Sequence, residues 1–259
     1  MKASLSFLLC LLFLSACFAD DVQNLVQTER EFAAMSVKFG MREAFLAYLA
    51  DDSVLFRPDA VPGKEWMEEH PPRSGILSWE PTLAEAASDL GCTSGPWEFR
   101  EKTLQDKPVA YGYFVTLWKK ESDGKWKVVL DTGTTNPAPT TAASLSLPPA
   151  SAVAKKANED LLKADQDFCI NAKTVSDVLA DAVLLYRDNV APISGKQAAL
   201  AVVNQTAICT PAKANVSSDG VLGYTYGTYT SNQQKGNYVR VWKNLSGAWK
   251  VIIDVSTPD

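Results

Sequence analysis

Gly112-Tyr113-Phe114-Val115-Thr116-Leu117-Trp118-Lys119 returns, with substitutions, as Gly236-Asn237-Tyr238-Val239-Arg240-Val241-Trp242-Lys243, 124 residues later. Gly124-Lys125-Trp126-Lys127-Val128-Val129-Leu130-Asp131 returns as Gly247-Ala248-Trp249-Lys250-Val251-Ile252-Ile253-Asp254 after 123. The spacings differ by one residue, which falls in the turn between the blocks. A self-match this long and this nearly in step means a domain written twice. Each copy spans about 110 residues, near the commonest domain size and enough for its own core.

Working outward, Val109, Tyr111, Tyr113, Val115 and Leu117 alternate against Ala110, Gly112, Phe114, Thr116 and Trp118. Both faces are apolar at the centre, so one covers helices and the other is buried elsewhere. Asp123-Gly124 and Ser246-Gly247 mark tight hairpin turns, and Leu222 to Thr230 is another alternating strand. Upstream, Leu25, Phe32, Met35 and Phe39 fall at helical spacing, with Glu29, Arg30, Glu31 and Lys38 directed to water. Gly40 ends that helix, and Met41 to Ala50 gives a second. Leu161, Ala164 and Phe168 match Phe32, Met35 and Phe39 at a constant offset of 129, which also pairs Asp52 with Asp181. Strands follow at Val54-Leu55-Phe56 and at 183–186, then short helices after Gly63-Lys64 and Gly195-Lys196. Helices first and an antiparallel meander afterwards is the α+β class.

The organisation expected is a signal peptide over 1–19, a first domain over 20–134, a linker over 135–153 and a second domain over 154–259. The linker carries Pro137, Pro139, Pro148 and Pro149, no charge and little that packs. At the N-terminus, Lys2 precedes an apolar run from Leu5 to Leu14, too short to span a bilayer. Leu14-Ser15-Ala16-Cys17 resembles the lipobox of bacterial lipoproteins, which implies cleavage before Cys17 and its lipidation; ordinary cleavage after Ala19 is the alternative. Either way export is expected, to the periplasm and anchored by lipid in the first case, soluble in the second.

The formal charge of −5 and the lack of a basic cluster argue against nucleic acid as partner. Of the mature cysteines, Cys169 and Cys209 share a domain and are the candidate disulfide; the alternative is that Cys92, Cys169 and Cys209 are three small buried hydrophobes. Their spacing fits no zinc site, so no metal is expected, and no cofactor either.

Ala50-Asp51-Asp52-Ser53-Val54-Leu55-Phe56, Gly63-Lys64 and the closing Trp118…Gly124-Lys125-Trp126-Lys127-Val128-Val129-Leu130-Asp131 resemble the SnoaL-like branch of the nuclear transport factor 2-like superfamily. The second copy keeps Asp181, Gly195-Lys196, Trp242, Trp249 and Asp254. The resemblance implies a cystatin-like cone, a curved sheet wrapped around helices, twice over, and covers nearly the whole mature chain apart from the linker. It says little of activity, because the superfamily holds isomerases, cyclases, dehydratases and members without known reaction. Its ketosteroid isomerases place an Asp general base just before a Pro; here Arg57 precedes Pro58, and Arg57 abstracts no proton. The first helix has no Tyr for an oxyanion hole.

Candidate acids are therefore Asp188, beside Arg187, and Asp131 with Asp254 at the ends of the last strands. Arg57 and Arg187 recur at the base position, as grips for an anion or as structural partners of Asp52 and Asp181. Candidate ligand-binding residues are Arg57, Phe56, Trp66, Trp79, Trp97 and Tyr111; Trp66, Trp79 and Trp97 have no evident counterpart in the second copy. His70 reads as an exposed loop residue. Three functions stay open: exported modules binding a small apolar molecule or a protein partner without catalysis, a lyase or isomerase acting on a small apolar molecule, and a scaffold pairing through its sheets, within the chain or as a homodimer.

Overall fold

A computed structural model of the chain describes residues 4–138, 158–170, 172–203, 207–231 and 234–259, with side chains from Asp21 onward apart from 170 and 172–174. The first copy runs α1 (Ser4–Phe39), α2 (Met41–Tyr48), β1 (Leu49–Phe56), β2 (Ala60–Pro62), α3 (Gly63–Glu69), β3 (Ile76–Trp79), β4 (Leu83–Ala87), β5 (Leu90–Arg100), β6 (Ala110–Lys120) and β7 (Trp126–Asn136). The second runs α4 (Asn158–Ile170), α5 (Ala172–Val178), β8 (Leu179–Arg187), β9 (Val190–Ser194), α6 (Lys196–Leu200), β10 (Ile208–Val216), β11 (Leu222–Ser231), β12 (Gln234–Leu245) and β13 (Ala248–Pro258). Two copies of one α+β fold result.

Each sheet is a meander closed by its own first strand. The orders are β2-β1-β7-β6-β5-β3, with β4 also on β5, and β10-β11-β12-β13-β8-β9. The sheets are mixed rather than purely antiparallel. Leu55 of β1 lies parallel to Asp131 of β7, and Leu185 of β8 lies parallel to Asp254 of β13. The second helix stops at Tyr48, short of the expected Ala50, because Leu49 and Ala50 already belong to β1. Strand β7 runs through Asn136, two residues into the stretch read as linker; most of the remaining linker, from 139, lies outside the described residues.

Register fixes which residues are equivalent, and it corrects the helical alignment. A Cβ on Gly91 would strike Leu25, and one on Gly223 would strike Leu161. Phe32 meets Trp118 edge-on at 6.0 Å, as Phe168 meets Trp242 at 6.3 Å. Leu25, Glu29 and Phe32 therefore correspond to Leu161, Asp165 and Phe168, an offset of 136 and not 129. The slip is seven residues, two helical turns, which returns nearly the same face and so preserves the apolar spacing.

Three apolar clusters give the layers. Leu25, Phe32, Phe45, Leu55, Trp118 and Trp126 fill the space between the first helices and their sheet. Leu161, Phe168, Leu185, Trp242 and Trp249 do the same in the second copy. The third joins the two sheets: Cys92, Val115, Leu117 and Leu130 of one share a cluster with Leu184, Tyr224, Val239, Val241 and Ile253 of the other. The second apolar face of β6 is buried there. The contact is pseudo-symmetric. Phe56 meets Tyr226 at 6.0 Å, and the equivalent pair, Tyr186 and Ser94, is joined by a 2.9 Å hydrogen bond from the Ser94 hydroxyl to the tyrosine oxygen. Position for position this is an isologous interface made within one chain. Lys243, almost fully buried, donates to Glu85 across it at 2.7 Å.

Candidate functional site

The helices and sheet of the first copy enclose a cavity of about 560 Å³. Strand parity builds its wall, since Ala110, Phe114 and Thr116 of β6 face the helices while Tyr113, Val115 and Leu117 face the other sheet. Phe32 comes from α1, Phe45 from α2, Trp66 and Met67 from α3, Trp79 from β3, and Trp97 with Phe99 from β5. Trp97 is seated over Gly112, its cross-strand partner, where a Cβ would come within 2.5 Å of the indole and 1.8 Å of the Thr134 carbonyl. A glycine is required there. Pro71 and Arg73, both exposed, mark the end at which the cavity meets solvent.

The lining is apolar over most of its surface, and its polar residues include Arg42, Arg57, His70, Thr116 and Asp131. Asp131 accepts a hydrogen bond from the Thr116 hydroxyl at 2.9 Å. Burial pushes its carboxyl up to about 6, with the Arg57 charge and the Thr116 bond pulling the other way. Arg57 donates to the Phe56 carbonyl at 2.6 Å and lies over the Trp66 ring at 5.0 Å. Arg42 is spent on the carbonyls of Met67, at 2.8 Å, and Glu68, at 3.1 Å, which close the end of α3. His70 stacks on Trp66 at 4.0 Å and donates from Nδ1 to the Trp66 carbonyl at 2.8 Å. It is exposed, as read from the sequence, but it also lines the cavity.

Behind the wall lies a group the sequence reading had turned to water. Glu29 is 0% exposed; it accepts from Trp79 Nε1 and from the Thr93 hydroxyl, both at 2.5 Å, and Thr93 in turn accepts from Trp118 Nε1 at 2.8 Å. Burial pushes its carboxyl up to about 7. The second copy repeats the chain with Asp165, Thr225 and Trp242: Thr225 donates to Asp165 at 2.9 Å, and Trp242 donates to Thr225 at 2.8 Å. The missed signal was helical period itself. Glu29 falls four residues after Leu25 and three before Phe32, inside the apolar stripe.

In the second copy the corresponding space shrinks to about 210 Å³. Arg240 takes it up. This residue replaces Thr116, reaches Asp165 at 2.6 Å and Asp254 at 3.9 Å, and stacks over Phe168 and Tyr238 at 4.3 and 4.0 Å. Tyr238 also donates to Asp165 at 2.6 Å. Arg187, the counterpart of Arg57, pairs with Asp254 at 3.1 Å. Cys169 and Cys209 form a disulfide, Cα atoms 5.6 Å apart, which ties α4 to β10 beside this cluster. Cys92 is a buried free thiol in the interface between the sheets.

The structure thus brings Arg57, Trp66, Trp79, Trp97 and Asp131 to one cavity. Phe56 and Tyr111 are not in it. Phe56 packs in the interface against Tyr226, and Tyr111 has the strand parity opposite to the cavity-lining Ala110 and Phe114, so neither side chain lines the cavity. Asp188 accepts from the Thr135 backbone N–H at 2.8 Å, bridging the copies outside either cavity. Asp254 lines the second pocket but is held by its arginines. Arg57 and Arg187 do not pair with Asp52 and Asp181; it is Asp51 that forms an ion pair, with Lys64 at 2.5 Å. Trp97 does have a counterpart, Tyr229, seated across from Gly236. The Cys17 side chain lies outside the described residues. Among the described residues no group of His, Cys, Asp and Glu is arranged to hold a metal ion, and no helix is long and apolar enough to cross a membrane.

No protein-family model and no curated protein matches the chain. Among solved structures it is similar to a nuclear transport factor 2-like superfamily protein from Salmonella enterica serovar Typhimurium, at 13% identity and TM-score 0.37, over 48% of this chain and 95% of that one. It is also similar to a protein of unknown function with a cystatin-like fold from Nostoc punctiforme, at 17% identity and TM-score 0.36, over 45% of this chain and 91% of that one. A third, named as a candidate ketosteroid isomerase from Parabacteroides distasonis, shows 14% identity and TM-score 0.34 over 43% of this chain and 84% of that one. At such identities and scores no residue role passes from these proteins to this one.

Proposed function

We propose that the first copy binds a small, largely apolar molecule in its cone, and that the second copy serves as its built-in structural partner. One observation carries the reading: the same space is an aromatic-lined cavity of about 560 Å³ in the first copy and is taken up by Arg240 and its acids in the second. A cavity of that size with a mostly apolar lining suits a drug-sized, largely apolar body. N-phenyl-1-naphthylamine, neutral and fluorescent when desolvated, tests it. Saturable binding at one site is expected, lost in Ala110→Trp, which fills the cavity from a partly exposed position. Binding unchanged in that variant overturns the reading.

One observation favours a second reading, proton transfer on the bound molecule. Asp131 faces the cavity with its carboxyl raised to about 6, close to the working range of a general base. Solvent deuterium exchange into an aryl ketone, followed by NMR, tests it; Asp131→Asn abolishes the exchange if Asp131 is the base. The N-terminal segment supports export, with the lipobox-like Leu14 to Cys17 supporting a lipid anchor. Mass spectrometry of the mature N-terminus separates acylated Cys17 from free Asp20.

A further inference from the structure

The two copies offer an internal control on one arginine. Arg187 in the second copy is neutralised by Asp254 at 3.1 Å, and Arg240 by Asp165 at 2.6 Å. The equivalent pair in the first copy, Arg57 and Asp131, forms no ion pair, although Arg57 is drawn into the apolar wall. Of the five donors on its guanidinium, the Phe56 carbonyl takes one, and the group lies over the Trp66 ring, with no ion pair to an acid among the described residues. Burial holds the Arg57 guanidinium below its usual value, with Asp131 acting the other way; the group is desolvated without a bonded counter-ion. A half-buried guanidinium with donors unspent is poised for an anion, and its planar fork fits a carboxylate or sulfonate edge-on. Arg73, over the Phe99 ring at 5.0 Å, adds positive charge at the open end, where Arg42 is held by the carbonyls of α3 and by Glu43. Against these the cavity holds one acid, Asp131, already engaged by Thr116.

Resting on the small-molecule reading above, we propose that the ligand is an amphipathic anion: an aromatic body against Trp66, Trp79 and Trp97, with its carboxylate or sulfonate gripped by Arg57. The apolar lining supplies contact area, and the arginine selects charge. A neutral molecule of the same shape leaves Arg57 desolvated and unpaired, which is the usual route to discrimination by a buried polar group.

The test pairs two probes that differ chiefly in charge, 8-anilinonaphthalene-1-sulfonate and N-phenyl-1-naphthylamine, titrated into the full chain. The sulfonate is expected to bind at least tenfold more tightly, and Arg57→Gln to bring the two level by weakening the sulfonate alone. Arg57→Lys, which keeps charge and loses the fork, gives an intermediate value and serves if the Gln variant does not fold. Ala110→Trp is expected to abolish both signals. Equal binding of the probes, or sulfonate binding indifferent to Arg57, overturns the anion proposal while leaving the cavity reading intact. Sulfonate binding that survives in Ala110→Trp also overturns it. Failure of both probes to bind removes the cavity reading and the proposal together.

Discussion

Thr116 and Arg240 stand at the same point of the two sheets. Thr116 is registered between Thr93 and Asp131, and Arg240 between Thr225 and Asp254. In the first copy that position is a short hydroxyl that leaves a cavity open. In the second it is a guanidinium that reaches Asp165, the counterpart of Glu29, and closes the space. One residue thus separates a hollow cone from a filled one.

Arg240 is the costlier residue to remove. It is 5% exposed, and Asp165 beneath it is fully buried, so Arg240→Met strands a carboxylate in the core. Breaking a buried pair from one side costs roughly 3–5 kcal/mol. Urea unfolding is expected to show that loss; a change below about 1 kcal/mol would mean that the cluster is solvated in solution.

The reciprocal change, Thr116→Arg, carries the plug into the first copy. Its side chain enters the cavity beside Asp131 and Glu29, the geometry in which Arg240 already folds. N-phenyl-1-naphthylamine binding is expected to disappear with the far-ultraviolet spectrum unchanged. Retained binding would place the probe elsewhere.

Much of this architecture was legible in residues, and the losses have physical causes. The Gly-to-Trp-Lys repeat and the alternation along Val109 to Lys119 set out both sheets and the double apolar face of β6. Parity then decided wrongly only where it was not followed through: Phe56 and Tyr111 are aromatic and near the cavity in sequence, yet their side of the strand is turned away from it. The helix slipped because two turns restore its apolar face, and that slip hid the equivalence of Glu29 with Asp165. A buried acid in an apolar stripe reads as solvated unless the stripe is counted through it. Arg57 at the expected base position was visible; that it lacks the acid partner its twin has was not, since this depends on small distances across the sheet.

Glu29 makes stability depend on pH with an unusual sign. Its carboxyl titrates near 7 when folded against 4.5 in the reference state, so the folded chain holds that proton more tightly. The contribution is fully present below the unfolded value and is lost as pH rises through about 4.5 to 7, by roughly 3 kcal/mol at most. Asp131, raised to about 6, acts in the same direction at lower pH. Denaturant midpoints at pH 5.5 and 8 for the natural chain and Glu29→Gln isolate the effect. The variant is expected to lose less stability over that interval, and parallel pH curves would show Glu29 to be hydrated.

Because the sheets share one core, the halves are expected to unfold together. Val239 is 1% exposed in the cluster common to both. Val239→Asp buries a charge there without touching either helical layer. It is expected to split a single unfolding transition into two, read by calorimetry. A single transition kept in the variant would mean that the sheets contribute little to each other.

The disulfide locks the second copy alone. Cys169 and Cys209 are 40 residues apart in sequence and join α4 to β10 next to Arg240, whose Nη1 lies 3.3 Å from the Cys169 sulfur. Closing a loop of that length stabilises by roughly 4 kcal/mol in the chain-entropy account. The double variant Cys169→Ala/Cys209→Ala is expected to lower the unfolding free energy by up to that amount. Probe binding in the first copy should be unchanged below the new transition, since the residues lining the cavity all belong to the first copy. If binding weakened in step with the lost stability, the cavity would depend on the second copy's fold through the shared sheet face, and Tyr186, hydrogen-bonded to Ser94, would be the place to look for that coupling.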